Sequence, residues 1–323
     1  MRTTAPEMAF LGAQVELDLD RLQGDVAILG VPHGWPYPRP GATAGCAEAP
    51  SAVRRRASRL AGFRGHWDFD LDAPMLPDDG ARLVDAGDVS SAPDDGAGNS
   101  TRVTAAVAAV VERSAVPVCL GGDDSVTIPV LRGLAALGPI TVLQVDAHLD
   151  YRDEVDGVRE GYSSPMRRAS EMEHVARVMQ VGLRGVGSAL PGDRDAAIAA
   201  GHELVTAREL RAGGVAAVLD RLPEDASVFV AFDVDGLDPS VFPGASALAP
   251  GGLTFAEADE LLRGIGPRLV GAVFSEYVPG LDVNDMGALV IARLAIRLAS
   301  GVRPHRNRPD ALTVDLTPTN SDD

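Results

Sequence analysis

Three apolar runs of the sequence each end in a short segment that carries two acidic side chains. The segments contain Asp123 and Asp124; Asp146, His148 and Asp150; and Asp233 and Asp235. In an extended chain, residues i, i+2 and i+4 project to the same side. The side chains of the second and third segments can therefore each converge on one point, and ligands of open α/β sheets bind at the carboxyl ends of strands.

Carboxylates packed this closely would repel one another strongly, and bound cations remove the repulsion. Carboxylates with one imidazole suit a hard or borderline ion, so we expect two Mn²⁺ ions, with Ni²⁺ or another divalent ion as the alternative. A single Asp after a strand is usually an ordinary turn residue. Three such clusters, each at the end of an apolar run, favour a binuclear metal site and hydrolase chemistry.

The elements that must position these side chains alternate between short apolar runs and helical patterns. The predicted strands are Asp25–Val31, Arg82–Asp88, Val116–Gly121, Ile140–Asp146, Arg177–Gly182, Glu203–Thr206, Val228–Asp233 and Val270–Tyr277. Most of these runs lack polar alternation, which is typical of parallel strands buried on both faces. The predicted helices are Ala49–Leu60, Asn99–Arg113, Ser125–Leu137, Asp195–Ala200, Ala207–Arg221, Thr254–Ile265 and Val283–Ala299.

This alternation predicts an α/β fold with one doubly wound, mostly parallel sheet of about eight strands flanked by helices. No linker divides the 323 residues. We therefore expect one domain, with an N-terminal arm (about residues 1–20) and a flexible C-terminal tail (about residues 301–323) rich in Pro, Arg and Asp.

Composition excludes several classes of protein. The formal net charge is -17 and the sequence pI is about 4.7, which argues against a general nucleic-acid binder. The N-terminus lacks signal-peptide features, and no apolar run approaches the roughly 20 residues that span a bilayer. Cys46 and Cys119 have no metal-binding spacing. We expect a cytoplasmic protein with no membrane or nucleic-acid partner.

The chain resembles the ureohydrolases, the arginase and agmatinase family, along most of its length. The matching segments are Gly30-Val31-Pro32; Arg39-Pro40-Gly41; Asp85-Ala86-Gly87-Asp88; Gly121-Gly122-Asp123-Asp124-Ser125; Asp146-Ala147-His148-Leu149-Asp150; Asp233-Val234-Asp235-Gly236-Leu237-Asp238-Pro239; and Ser275-Glu276-Tyr277. Arg-Pro-Gly is closer to the agmatinase branch than to arginase. The resemblance implies the arginase-like fold and a homo-oligomer, trimeric or hexameric.

The resemblance also implies roles for the acidic clusters. Asp146 and Asp233 would bridge two metals, His148 and Asp235 would complete one site, and Asp124 and Asp150 the other. A hydroxide between the metals would be the nucleophile, and Asp150 would also orient it. Glu276 would pair with the substrate guanidinium, whose hydrolysis yields urea and an amine.

The sequence departs from the family's pattern at two positions. Asp124 stands where the family has a His ligand, so one metal site would be all-oxygen. Tyr162 occupies the position of a His that serves as a proton shuttle, and a phenol with a pKa near 10 is a poorer acid–base. His33 or His174 is an alternative shuttle, although an ordinary structural role is favoured for each. A smaller change is Val278, where the family often has Asn.

The loop from His33 to Arg39 contains Trp35 and Tyr37. Their aromatic faces could bind a cationic substrate or pack in a subunit contact, and the sequence favours neither.

We therefore expect a metal-dependent amidinohydrolase with a small cationic, agmatine-like guanidino substrate. The alternatives are hydrolysis of another guanidino or formimino C–N bond, and a degenerate family member that serves as a partner subunit.

Overall fold

The computed structural model describes residues 1–38, 44–77 and 79–304. Their strands are β1 (Gln14–Val15), β2 (Val26–Val31), β3 (Trp67–Asp68), β4 (Ala73–Pro74), β5 (Leu83–Asp88), β6 (Val116–Gly121), β7 (Ile140–Val145), β8 (Val175–Leu183), β9 (Glu203–Thr206), β10 (Ser227–Asp233) and β11 (Leu269–Ser275). The predicted strands are all present, with ends that differ by at most two residues.

Nine of the strands form one sheet in the order β1-β5-β2-β6-β11-β10-β7-β8-β9, and β3 pairs with β4 in a small antiparallel ribbon. Every pairing within the large sheet is parallel. Strand β5 lies on one side of β2, and β6 to β9 lie on the other side. The last two strands, β10 and β11, insert between β6 and β7. The predicted doubly wound α/β sheet is confirmed.

The helices are α1 (Ala49–Ser58), α2 (Gly96–Glu112), α3 (Thr127–Gly133), α4 (Pro165–Ala169), α5 (Pro191–Ala199), α6 (Ala207–Leu219), α7 (Phe255–Ile265) and α8 (Met286–Gly301). Two separate groups of buried apolar side chains cover the two sheet faces. One includes side chains of α1, α6, α7 and α8, and the other includes side chains of α2, α3, α4 and α5. The four central strands, β6, β11, β10 and β7, are therefore buried on both faces, as their apolar sequences predict.

Side-chain caps mark the starts of helices α2, α6 and α7. Thr254 caps α7 in a capping box. Its hydroxyl accepts from the Glu257 N–H at 3.2 Å, and Glu257 accepts from the Thr254 N–H at 2.8 Å. Helix α2 begins three residues before the predicted Asn99, because Asp95 caps it by accepting from the Gly98 N–H at 3.0 Å.

The N-terminal segment packs against the edge of the sheet. It supplies the two-residue strand β1, which pairs with β5, and the buried side chains Phe10, Leu11 and Leu19. The predicted C-terminal tail lies outside the described residues from 305 onward. No helix among the described residues is long and apolar enough to cross a bilayer.

Candidate metal centre

The predicted site residues meet at the carboxyl edge of four adjacent central strands. In sheet order these strands are β6, β11, β10 and β7. Asp124 follows β6, Glu276 follows β11, Asp233 ends β10 and Asp146 follows β7. The chain reverses its winding direction in this part of the sheet, and such a switch point is where ligands bind in open α/β folds.

Asp146, His148 and Asp235 form the first possible metal-binding group, with one ligand atom from each lying within 4.8 Å of the others. Nδ1 of His148 lies 2.9 Å from Oδ2 of Asp235. This hydrogen bond raises the pKa of His148 to about 9. Gly187, after β8, lies against the imidazole, and a Cβ there would collide with the ring. The missing side chain lets that loop approach His148.

Asp124, Asp146 and Asp233 form the second group, so Asp146 belongs to both. Oδ1 of Asp124 accepts from the hydroxyls of Thr127 at 2.8 Å and Ser275 at 2.7 Å. Its Oδ2 is buried and has no hydrogen-bond partner. A buried carboxylate oxygen without a partner is costly. A cation between Asp124, Asp146 and Asp233 would satisfy this oxygen.

The acidic side chains in this region share one electrostatic environment. Burial raises the pKa of Asp124 to about 7. Burial also raises the pKa values of Asp146, Asp150, Asp233 and Glu276 well above their ordinary range, and the neighbouring carboxylates add to the effect. Without positive charge the cluster holds protons that a metal pair would displace. The donor set therefore fits two divalent cations with oxygen-rich coordination.

Asp150 lies beside both groups without belonging to either of them. It is buried, has a positive φ of 45°, and its Oδ2 accepts a 3.3 Å hydrogen bond from the Gln144 side chain. The same amide donates to Oδ2 of Asp146 at 2.6 Å. Gln144 thus ties the two carboxylates together at the centre of the site.

Glu276 is buried directly after β11 with a positive φ of 65°. Its Oε1 accepts from the backbone N–H of Asp124 at 2.7 Å, and its Oε2 accepts from the Ser246 hydroxyl. These contacts fix the plane of the carboxylate beside the second metal-binding group. A carboxylate held in this way can pair with a planar guanidinium.

Tyr162 and Tyr37 pack against each other in an edge-on contact, with ring centroids 4.5 Å apart. Tyr37 is buried, and its hydroxyl oxygen accepts from the Ser163 N–H at 3.2 Å. The Trp35 ring packs on Gly96 at the start of α2, where a Cβ would come within 2.8 Å of it. Both aromatic residues of the 33–39 loop therefore make contacts within the chain, and Arg39 lies outside the described residues.

The two histidines considered as proton shuttles lie in different places. His174 bonds to the carbonyl of Leu131 at 2.9 Å, and its own carbonyl accepts from Ile140, the first residue of β7. It is thus at the opposite edge of the sheet, roughly 20 Å from Asp146 at the usual rise of a strand. His33 follows β2, and its Nδ1 lies 2.9 Å from the Ser91 hydroxyl. Burial lowers the pKa of His33, although nearby Asp123 opposes this.

Sequence reasoning missed several residues that orient the site. They are Gln144, Gln180, Thr127, Ser246 and Ser275. The two glutamines carried a signal, because a polar side chain inside an otherwise apolar strand must find a buried partner.

Comparison with known proteins identifies the family. The model of the arginase family matches residues 24–300. The chain belongs to the arginase family. A mitochondrial agmatinase of Gallus gallus is 31% identical over 286 residues, which cover 85% of this chain and 80% of that protein. The proclavaminate amidinohydrolase of Streptomyces clavuligerus is 31% identical over 297 residues, which cover 88% of this chain and 90% of that protein.

The solved structure of the Streptomyces clavuligerus proclavaminate amidinohydrolase has a TM-score of 0.80 to this fold at 27% identity. The match covers 92% of this chain and 97% of the other. The fold is therefore the arginase fold. The predicted resemblance to arginase-family amidinohydrolases is confirmed.

Proposed function

We propose that this arginase-family protein hydrolyses the guanidino group of an agmatine-like substrate to urea and an amine. One observation carries the proposal. Two possible metal-binding groups share Asp146, and the Glu276 carboxylate hydrogen-bonds to the backbone of Asp124 at their edge. A metal pair and an adjacent anionic partner for a guanidinium are the two requirements of this reaction.

In this proposal Asp146 and Asp233 would be ligands common to two Mn²⁺ ions. His148 and Asp235 would complete the ligands of one ion, and Asp124 and Asp150 would complete those of the other. The buried Oδ2 of Asp124, which lacks a partner, supports its role as a ligand. When bound, two divalent cations supply an activated water as the nucleophile.

The remaining roles belong to side chains around the metal centre. Glu276 binds and orients the guanidinium through charge-assisted hydrogen bonds, and Asp150 orients the nucleophile and accepts its proton. Tyr162, on the loop after Asp150, relays a proton to the departing amine. Trp35 and Tyr37 line the approach for the cationic substrate. Their packing against Gly96 and Tyr162 favours a fixed wall made by the two rings over a mobile lid.

A second candidate is hydrolysis of a different guanidino or formimino compound. The similarity to a proclavaminate amidinohydrolase is as high as that to an agmatinase. Asp124, Tyr162 and Val278 also depart from the agmatinase pattern. The Glu276 environment favours a guanidinium over a formimino group, so agmatine and the other guanidino compounds differ in the remainder of the substrate.

A substrate panel distinguishes these candidates. The full chain is loaded with Mn²⁺ and assayed for urea release from agmatine and from guanidino acids of matched chain length, and for amine release from a formimino compound. Agmatine turnover at the highest kcat/KM supports the proposal. Preference for a guanidino acid would support the second candidate. No product from any compound, with metal bound, would instead support a degenerate partner subunit.

The resemblance to the family supports a homo-oligomeric assembly, trimeric or hexameric, and the predicted cytoplasmic location stays a proposal. Light scattering of the purified chain tests the assembly.

A further inference from the structure

A buried chain of polar side chains leads from the metal-binding carboxylates across two strands. Gln144 is on β7, Gln180 is its register partner on β8, and His202 precedes β9. Their exposures are 1%, 0% and 7%. Gln144 and Asp146 are two residues apart, so their side chains share a sheet face. The chain therefore reaches the site from within the core.

Each link of the chain is a hydrogen bond. The Gln144 amide nitrogen lies 2.6 Å from Asp146 Oδ2 and 3.3 Å from Asp150 Oδ2. The Gln180 amide nitrogen donates to the Gln144 side-chain oxygen at 2.5 Å and to the Leu149 carbonyl at 2.8 Å. The Gln180 oxygen lies 3.0 Å from His202 Nδ1.

Acceptors fix the direction of every bond in this chain. A backbone carbonyl can only accept, so Gln180 must turn its nitrogen toward Leu149. The same nitrogen donates to the Gln144 oxygen, which leaves the Gln144 nitrogen facing Asp146. The oxygen of Gln180 then faces His202, whose Nδ1 must carry a proton. Burial lowers the pKa of His202 to about 4, so the imidazole is neutral at pH 7 and its Nε2 accepts from the Ser170 hydroxyl 2.6 Å away.

These polar groups are buried at a cost that apolar side chains would avoid. All three positions lie in the core, where an apolar side chain packs without the cost of burying an amide or imidazole. The row of hydrogen-bonded side chains ends on two acidic residues of the candidate metal centre, which indicates that it acts on those two residues. Partners of this kind orient metal ligands and tune their basicity.

We propose that Gln144 and Gln180 are positioning residues that hold the Asp146 and Asp150 carboxylates in the orientation the metal pair requires. Gln144 contacts the carboxylates directly. Gln180 acts through Gln144 and through the Leu149 carbonyl, and His202 holds Gln180. This inference rests on the metal-dependent function proposed above.

Metal affinity tests this inference without an activity assay. The dissociation constants for Mn²⁺ are measured by calorimetry on the full chain, with the electron paramagnetic resonance spectrum of the bound Mn²⁺ as a second readout. Gln144→Leu and Gln180→Leu should each weaken Mn²⁺ binding by about 10- to 100-fold and alter the spectrum. The control is Thr141→Val. Thr141 is buried on the same strand, β7, and makes no hydrogen bond in the row of Gln144, Gln180 and His202.

The double variant tests whether the two residues act together. Independent residues would multiply their effects, whereas residues in one chain should lose less than the product of the two. Thermal unfolding of the metal-free variants checks that they fold.

Unchanged Mn²⁺ affinity and spectrum in folded Gln144→Leu and Gln180→Leu would overturn the inference and leave the proposed function intact. A loss of the same size in Thr141→Val would also overturn it. Failure of the wild-type chain to bind Mn²⁺ would instead overturn the proposed function, and this inference with it.

Discussion

Replacing Asp124 with asparagine should change the stability of the metal-free protein and its affinity for metal in opposite directions. The substitution keeps a side-chain oxygen that can accept from Thr127 and Ser275. It replaces the buried Oδ2, which has no partner, with an uncharged amide group that can donate to the carboxylates of Asp146 or Asp233. We therefore expect the metal-free variant to be more stable than the wild type, and expect it to bind the second ion poorly.

The size of the stability gain follows from the pKa of Asp124. Burial raises it from an ordinary value of 3.8 to about 7, and this difference corresponds to about 4 kcal/mol at pH 8. The neighbouring carboxylates titrate together with Asp124, so we expect a gain of roughly 2–4 kcal/mol.

The gain must also depend on pH with a definite sign. Between about pH 4 and pH 7 the folded wild type keeps a proton on Asp124 that the unfolded chain has lost, so its stability falls as the pH rises. Above pH 7 Asp124 is ionised in both the folded and the unfolded wild type, so the stability difference between the variant and the wild type stays constant. The gain should therefore roughly double from pH 5.5 to pH 8.

Urea denaturation of the chelator-treated proteins at these two pH values measures the gain. Calorimetry with Mn²⁺ measures the loss of the second ion. Asp225→Asn, at an exposed position before β10, is the control for the loss of one negative charge. An Asp124→Asn variant that is no more stable than the wild type at pH 8, or that still binds two ions with unchanged affinity, would refute the reasoning.

Three further substitutions test individual roles. Asp124→His adds a nitrogen ligand and should shift selectivity from Mn²⁺ toward Ni²⁺ in competition calorimetry; an unchanged ratio would contradict an all-oxygen site. Glu276→Gln removes the anionic partner of the guanidinium and should lower kcat/KM about 100-fold or more with metal stoichiometry unchanged, whereas normal kcat/KM would exclude this role. Tyr162→Phe should lower kcat at least about 100-fold if the phenol relays a proton. An unchanged kcat in the folded Tyr162→Phe variant would exclude this relay.

The fold could be predicted well because its strands are buried on both faces. Continuous apolar runs marked the eight long strands of the sheet. Strand β1 was missed, because two exposed residues carry no periodic signal. The helix predicted over Ser125–Leu137 is in fact divided into α3 and two short 3-10 turns, at Asp124–Val126 and Ala135–Leu137. Its first residues are held by the Asp123 side chain, which accepts from the Ser125 N–H at 3.0 Å.

The acidic part of the site could also be predicted, since strand-end spacing alone brings these side chains to one edge. The partners that orient them could not, because they come from distant positions. Ser246 reaches Glu276 from a loop after β10, and Gln180 reaches Gln144 from β8. Such contacts depend on sheet order and register, which local sequence does not specify. The intrachain packing of Trp35 and Tyr37 likewise depends on how their loop folds back onto α2 and residues 161–163.

Metal stoichiometry tests the central claim most directly. The full chain is loaded with Mn²⁺, excess ion is removed by gel filtration, and bound metal is measured by mass spectrometry against protein concentration. The two groups that share Asp146 predict two ions per chain, despite Asp124. One ion per chain would contradict the binuclear centre, and none, with Mn²⁺ or with Ni²⁺, would contradict metal-dependent hydrolysis altogether.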